Sequence, residues 1–246
     1  MNSLISLNGI LVIAEKNIRI YYNKAPVFIF GLLFPLFMFV AFFMGRELDI
    51  DIFLPGFVAM TLFFTASSVS PLITPWERQA KTYERLLTYP VTLETIILGD
   101  VVAGGLFGIL ITVIVMAALL LIIPGIALNI ILLAVALIFG SFCFAALGSL
   151  LSSPATSNPS NIMMLSSIVR FPLIFISGIF IPLHALQGFA KTLAYFSPLT
   201  YLVDLINAGF GKPTVFNPAV DVIVLIAVAF VFLIFAKVYQ RRIISK

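Results

Sequence analysis

From Val101 to Val169 no side chain carries a charge. A water-facing domain does not contain such a run, because about a quarter of the residues in soluble domains are charged. A bilayer core ~30 Å thick, by contrast, requires about 20 apolar residues per crossing helix. Pro124-Gly125 interrupts the run once, and the stretch from Ser152 to Pro159 interrupts it again, both with turn-forming compositions. The run therefore predicts three spans, at about 101–123, 126–151 and 161–181. Apolar stretches elsewhere predict three more, at about 25–44, 52–76 and 219–237, the last with Asp221 near its outer end. With 62% apolar residues, 10% charged residues and a mean hydropathy of +1.19, the 246 residues read as a single transmembrane domain, 1–246.

The formal net charge of +4 does not point to nucleic acid. Basic residues sit in short segments between apolar runs, a pattern that encodes topology rather than a phosphate-binding face. With six spans, Lys16, Arg19, Lys24, Arg78, Lys81, Arg85, Lys237, Arg241, Arg242 and Lys246 fall on one side, and Arg46, Lys191 and Lys212 on the other. Ten against three predicts that both termini are cytoplasmic. A seventh span within 183–210 would put the basic C-terminal tail outside. That segment instead predicts two external re-entrant or interfacial half-helices, one ending at Pro198, which has no backbone N–H to continue it. Met1 to Asn8 carries no basic residue and no cleavage site follows, so the N-terminus is not expected to be a signal peptide. Leu4, Leu7, Leu11, Ala14, Ile18 and Tyr21 recur at spacings of three and four, with Glu15, Lys16 and Arg19 off the stripe. This predicts an interfacial amphipathic helix within 1–24.

Catalytic chemistry finds little to work with. His184 is the only histidine and Cys143 the only cysteine, so a multi-histidine metal site and an intrachain disulfide are excluded within one chain. Gly209-Phe-Gly-Lys-Pro-Thr fails as a phosphate loop, because Ile206 and Pro213 stand where that loop needs Gly and Ser or Thr. The chain is expected to be no enzyme and to bind no cofactor of its own. Arg170 is expected about nine residues into a span, where a charge is costly and marks a functional candidate. Ser166, Arg170 and Ser177 share a face and are candidate pathway residues, with internal pairing of Arg170 to Asp204 or to backbone carbonyls as the alternative. Thr61, Thr65 and Ser68 form a second polar stripe, either pathway or helix glue. Gly104 and Gly108 are read as packing within the bundle. After the second span, Glu77 to Pro90 predicts a short cytoplasmic amphipathic helix with Ala80, Tyr83 and Leu87 on one face and a Glu77–Lys81 pair along it.

Two motifs carry a resemblance. The first is Glu77-Arg78, Thr82, Glu84, Leu86 or Leu87, and Pro90, with Lys81 standing where glycine is usual. The second is Ser177-Gly-Ile-Phe-Ile-Pro182 followed by Ser197-Pro-Leu-Thr-Tyr201 and Asp204, with Asn207 where arginine often stands. Together with the six-span pattern, they make the chain similar to permeases of ATP-binding-cassette exporters of the type-2 class, closest to the drug and nodulation-factor subgroup. The resemblance implies an all-α polytopic fold: six transmembrane helices, an N-terminal interfacial helix, a cytoplasmic coupling helix at about 77–90 and external half-helices at about 183–210. It also implies a homodimer of permeases in the cell membrane, in contact with lipid. Separate ATPase subunits would hold ATP and magnesium. Glu77, Arg78, Thr82, Glu84, Leu86, Leu87 and Pro90 would be the coupling residues, and the cargo would be drug, lipid or glycan-like. A secondary transporter and a non-transporting assembly subunit are the competing classes. The first would favour a longer chain with internal repeats, and no repeat is seen.

Overall fold

The computed structural model describes residues 7–43, 50–89, 91–122, 128–154, 156, 158–181 and 183–244. Among them every regular element is helical. The chain runs through α1 (Leu7–Tyr21), α2 (Ala25–Phe28), a π turn at Ile29–Leu33, α3 (Phe34–Phe43), α4 (Ile50–Ser68), α5 (Ser70–Gln79) and α6 (Tyr83–Thr88). It continues with α7 (Leu93–Ile122), α8 (Ile130–Leu151), α9 (Pro159–Ile176), a 3-10 turn at Leu183–Ala185, α10 (Gly188–Phe196), α11 (Pro198–Gly209) and α12 (Pro218–Ile244).

Five helical stretches among the described residues are long and apolar enough to cross a membrane: Phe53–Gln79, Leu93–Leu121, Ile130–Leu151, Pro159–Ile176 and Pro218–Ile243. The 25–43 run, where a sixth span is expected, is helical but split by the π turn. The π turn lies just before Pro35, whose missing N–H frees the carbonyl of Gly31.

Boundaries differ from those expected wherever a cap or a buried charge overrides hydropathy. α7 begins at Leu93 and not near 101, because the Thr92 hydroxyl accepts the Thr95 N–H at 3.1 Å and Asp100 is buried with a partner. α8 begins at Ile130 and not near 126, because the Asn129 side chain accepts the Leu132 N–H at 3.2 Å. α9 runs 159–176 rather than 161–181. Asn158 caps its start, and Gly178 follows its end with φ at +87°, a conformation glycine adopts without strain. α12 extends past the expected 237 to Ile244, carrying Lys237 within it.

The core is built around α4. Its span is wholly buried, enclosed by α7, α8, α11 and the π turn, whereas α7, α9 and α12 bury only a minority of their span residues. Phe63, Phe64 and Phe144 fill the centre, with Phe63 edge-on to Phe144 at 4.8 Å. Cys143 is buried in the same cluster. Gly108 lies where α7 crosses α4: a Cβ there would meet that of Ala66 at 2.8 Å. The Gly104 and Gly108 pair thus serves packing inside the bundle.

α1 departs from its predicted orientation. Ile10, Ile13, Ala14, Asn17 and Tyr21 are buried, while Leu7, Leu11 and Ile18 of the predicted stripe are exposed; Leu4 lies outside the described residues. The helix has a buried side and a partly apolar exposed flank. One side packs on α7, Leu7, Leu11 and Ile18 stay exposed on the flank beside it, and the side opposite carries the exposed Asn8, Glu15 and Arg19. Gly99 allows the first contact: a Cβ there would fall 2.5 Å from Cγ2 of Ile13.

Candidate functional site

The expected continuous helix over 77–90 is two pieces. α5 ends at Gln79, and α6 covers only 83–88. Between them the chain closes a Schellman cap. The Thr82 N–H donates to the Glu77 carbonyl at 2.9 Å and the Lys81 N–H to that of Arg78 at 3.1 Å. Lys81 takes the left-handed position, with φ at 55°. Ala80 is therefore exposed beside a turn and does not share a helical face with Tyr83.

Each predicted coupling residue has a distinct place. Glu77 is buried and ion-paired to Lys16 of α1, not to Lys81 as expected, and the Tyr21 hydroxyl donates to the same oxygen at 3.4 Å. Arg78 donates to the Pro154 carbonyl at 3.3 Å and lies 5.1 Å from the Tyr83 ring centre. Thr82 closes the cap, its hydroxyl donating to the Glu77 carbonyl at 3.2 Å. Tyr83 is buried and anchors α6; burial raises its hydroxyl pKa above the usual value. Leu86 and Leu87 are half-buried, whereas Glu84 and Arg85 are exposed; Pro90 lies outside the described residues.

Two further contacts escaped the sequence reading. Asn17 of α1 donates to Asp100 of α7 at 2.6 Å, with both residues buried. The rings of Tyr21 and Trp76 stack at 5.7 Å. α1 is thus fastened to α5 and α7 by one ion pair, one buried amide–carboxylate bond and one aromatic stack. Their partners lie 55 to 83 residues apart, so no local spacing announces them. A groove of ≈ 580 Å³ runs between α1 and the α5–α6 corner.

Arg170, Ser166 and Ser177 are all buried on the α9 segment. Arg170 donates to the backbone carbonyl of Ser67 on α4. The expected alternative of pairing with Asp204 does not hold, because the Asp204 carboxylate accepts the N–H groups of Val215 at 2.9 Å and Phe216 at 2.8 Å. Ser177 donates to the Ile174 carbonyl at 2.9 Å. The cavity lined by Ser68, Ser166 and Arg170 is only ≈ 10 Å³, room for about one water molecule. The α4 stripe is likewise closed on itself. Thr61 donates to Phe57, Thr65 to Thr61 and Ser68 to Thr65 carbonyls, at 2.9, 2.7 and 3.2 Å. In this conformation both groups of candidate pathway residues are packed.

At the other end of the bundle, α10 and α11 form the two short helices expected, hinged at Ser197-Pro198. Tyr201 holds the hinge by donating to the Tyr195 carbonyl at 2.8 Å. Among the described residues no group of three or more His, Cys, Asp or Glu could hold a metal ion.

No curated protein matches the chain. A comparison with protein families matches residues 9–210 to the ABC-2 type transporter family. That interval runs from α1 through the α5–α6 corner to the end of α11. It takes in every candidate residue described above. The chain belongs to the ABC-2 type transporter family, as a membrane permease component.

Proposed function

We propose that the chain is the membrane-spanning subunit of an exporter in the cell membrane, whose ATP is hydrolysed by a separate subunit holding ATP and magnesium. Six spans, counting 25–44, place both termini and α6 in the cytoplasm and the α10–α11 pair outside as re-entrant half-helices. A second copy completes a homodimer. The cargo is an amphiphile of the drug, lipid or glycan class, as in the drug and nodulation-factor subgroup.

The observation that carries this reading is α6. It is a helix of under two turns, anchored by Tyr83, with Glu84 and Arg85 exposed and Leu86 and Leu87 only half-covered. A short helix with uncovered leucines and flanking charges suits a groove on a soluble partner. Force on α6 has two routes inward: Arg78 to the 152–158 connection, and Glu77 to α1. ATP drives transport only if its binding favours one of two bundle states. In the other state, Arg170, Ser166, Ser177, Thr61, Thr65 and Ser68 open onto the pathway.

The test is co-expression with a candidate ATP-binding-cassette ATPase from the same genome. The two proteins are expected to copurify, and the complex to show magnesium-dependent ATP hydrolysis and ATP-dependent uptake into inside-out vesicles. ATP hydrolysis by the purified chain alone, or transport driven by an ion gradient without an ATPase, would overturn the proposal.

A further inference from the structure

The groove between α1 and the α5–α6 corner has a chemistry that ATPase coupling does not use. Lys16, Lys24 and Arg85 line it, with Tyr21, Trp76 and Tyr89 among them. Glu77, its one acidic lining residue, is occupied by Lys16. Neither Lys24 nor Arg85 belongs to any ion pair among the described residues. Lys24 instead sits 4.1 Å above the Trp76 ring and 5.0 Å above that of Tyr21. The groove therefore presents an uncompensated double positive charge on an aromatic floor.

Its position names the source of the missing anion. α1 exposes Leu7, Leu11 and Ile18 along one flank, the charged Glu15 and Arg19 beside them, and Ile20 at the groove. A helix with an apolar flank beside a charged one lies in the plane of the membrane interface. The groove then opens at headgroup depth, where aromatic rings and basic side chains concentrate. We infer that this groove binds the phosphodiester headgroup of an anionic phospholipid between Lys24 and Arg85. The headgroup ties α1 to α6. Assignment to the inner leaflet rests on the topology proposed above.

Trp76 is the only tryptophan of the chain, so the groove carries its own reporter. The measurement is Trp76 emission of the purified permease, without ATPase, in phosphatidylcholine nanodiscs holding increasing fractions of phosphatidylglycerol. The expected result is a saturable change. Lys24→Gln and Arg85→Gln should each raise the half-saturating fraction about fivefold, the effect of one basic residue at an anionic surface. Soluble glycerol phosphate added to neutral discs should leave the emission unchanged. Should Lys24→Gln fail to fold, Arg85→Gln on exposed α6 carries the comparison. A linear drift identical in the variants would overturn the inference, as would an equal response to glycerol phosphate. It would fall too if added ATPase alone changed the emission and phosphatidylglycerol did not, which would give the groove to an acidic protein segment. The lipid arm uses the permease alone, so its failure is separate from failure of ATPase copurification.

Discussion

Arg170 donates to the carbonyl of Ser67, the very oxygen that Pro71 leaves without a helical donor. An N–H at position 71 would have bonded back to residue 67, and proline has none. The α4–α5 rod bends at Val69 just there, and a cation from α9 meets the oxygen exposed by the bend. Arg170→Gln is expected to lower stability by about 1–3 kcal/mol, the cost of a buried acceptor left unsatisfied. Arg170→Lys should lose less. Thermal unfolding of the purified permease measures both. A variant of unchanged stability would show that Arg170 does not hold the bend.

Lys81 occupies a left-handed position that closes a Schellman cap. Lys81→Gly is expected to stabilise the corner by up to about 1 kcal/mol, since glycine adopts this conformation without steric cost. Lys81→Val should destabilise it. Protection of the 77–88 amides in hydrogen exchange is the readout, and a loss of protection in Lys81→Gly would contradict the geometry.

Much of the fold was legible in the sequence. The uncharged run located α7, α8 and α9, and Pro198 separated α10 from α11. What stayed hidden has a common physical form. Asp100 marked a false start for α7, because hydropathy counts its charge while the structure gives it Asn17 as a donor. Asp204 looked like a partner for Arg170 because opposite charges attract; the actual acceptor is a backbone carbonyl, which no charge count registers. A signal for it existed: Pro71 stands four residues after Ser67. The predicted stripe of α1 follows its exposed apolar flank at Leu7, Leu11 and Ile18, and the buried side adds Ile10, Ile13 and Asn17, which that stripe omitted.

Gly99 admits Ile13 of α1 at a distance no side chain would allow. Gly99→Ala is expected to cost about 1–3 kcal/mol through overpacking. Ile13→Ala in the same chain should recover a large part of it. A double-mutant cycle on thermal stability checks the pair, and strict additivity would show that the two positions do not meet.

Leu86 and Leu87 are the apolar residues that α6 leaves half-covered. Leu86→Asp with Leu87→Asp is expected to abolish ATPase binding, or to leave ATP hydrolysis without transport, while unfolding of the isolated permease stays unchanged. Normal transport by the double variant would remove α6 from the coupling path.

Topology is open to direct measurement, because the one native cysteine, Cys143, is buried. Lys212→Cys should react with an impermeant maleimide in intact cells, and Glu84→Cys only after the membrane is opened. The reverse pattern would invert the bundle.

The hydroxyls of the α4 stripe also bear on how the chain is made. α4 leaves the ribosome before α7, α8 and α11 exist to enclose it, so it first meets lipid on the faces it later buries. Thr61, Thr65, Ser67 and Ser68 each donate to a carbonyl of their own helix. No hydroxyl of this group then faces hydrocarbon unbonded while the helix waits for its neighbours. The most enclosed helix of the finished bundle is thereby one that biogenesis can leave standing alone.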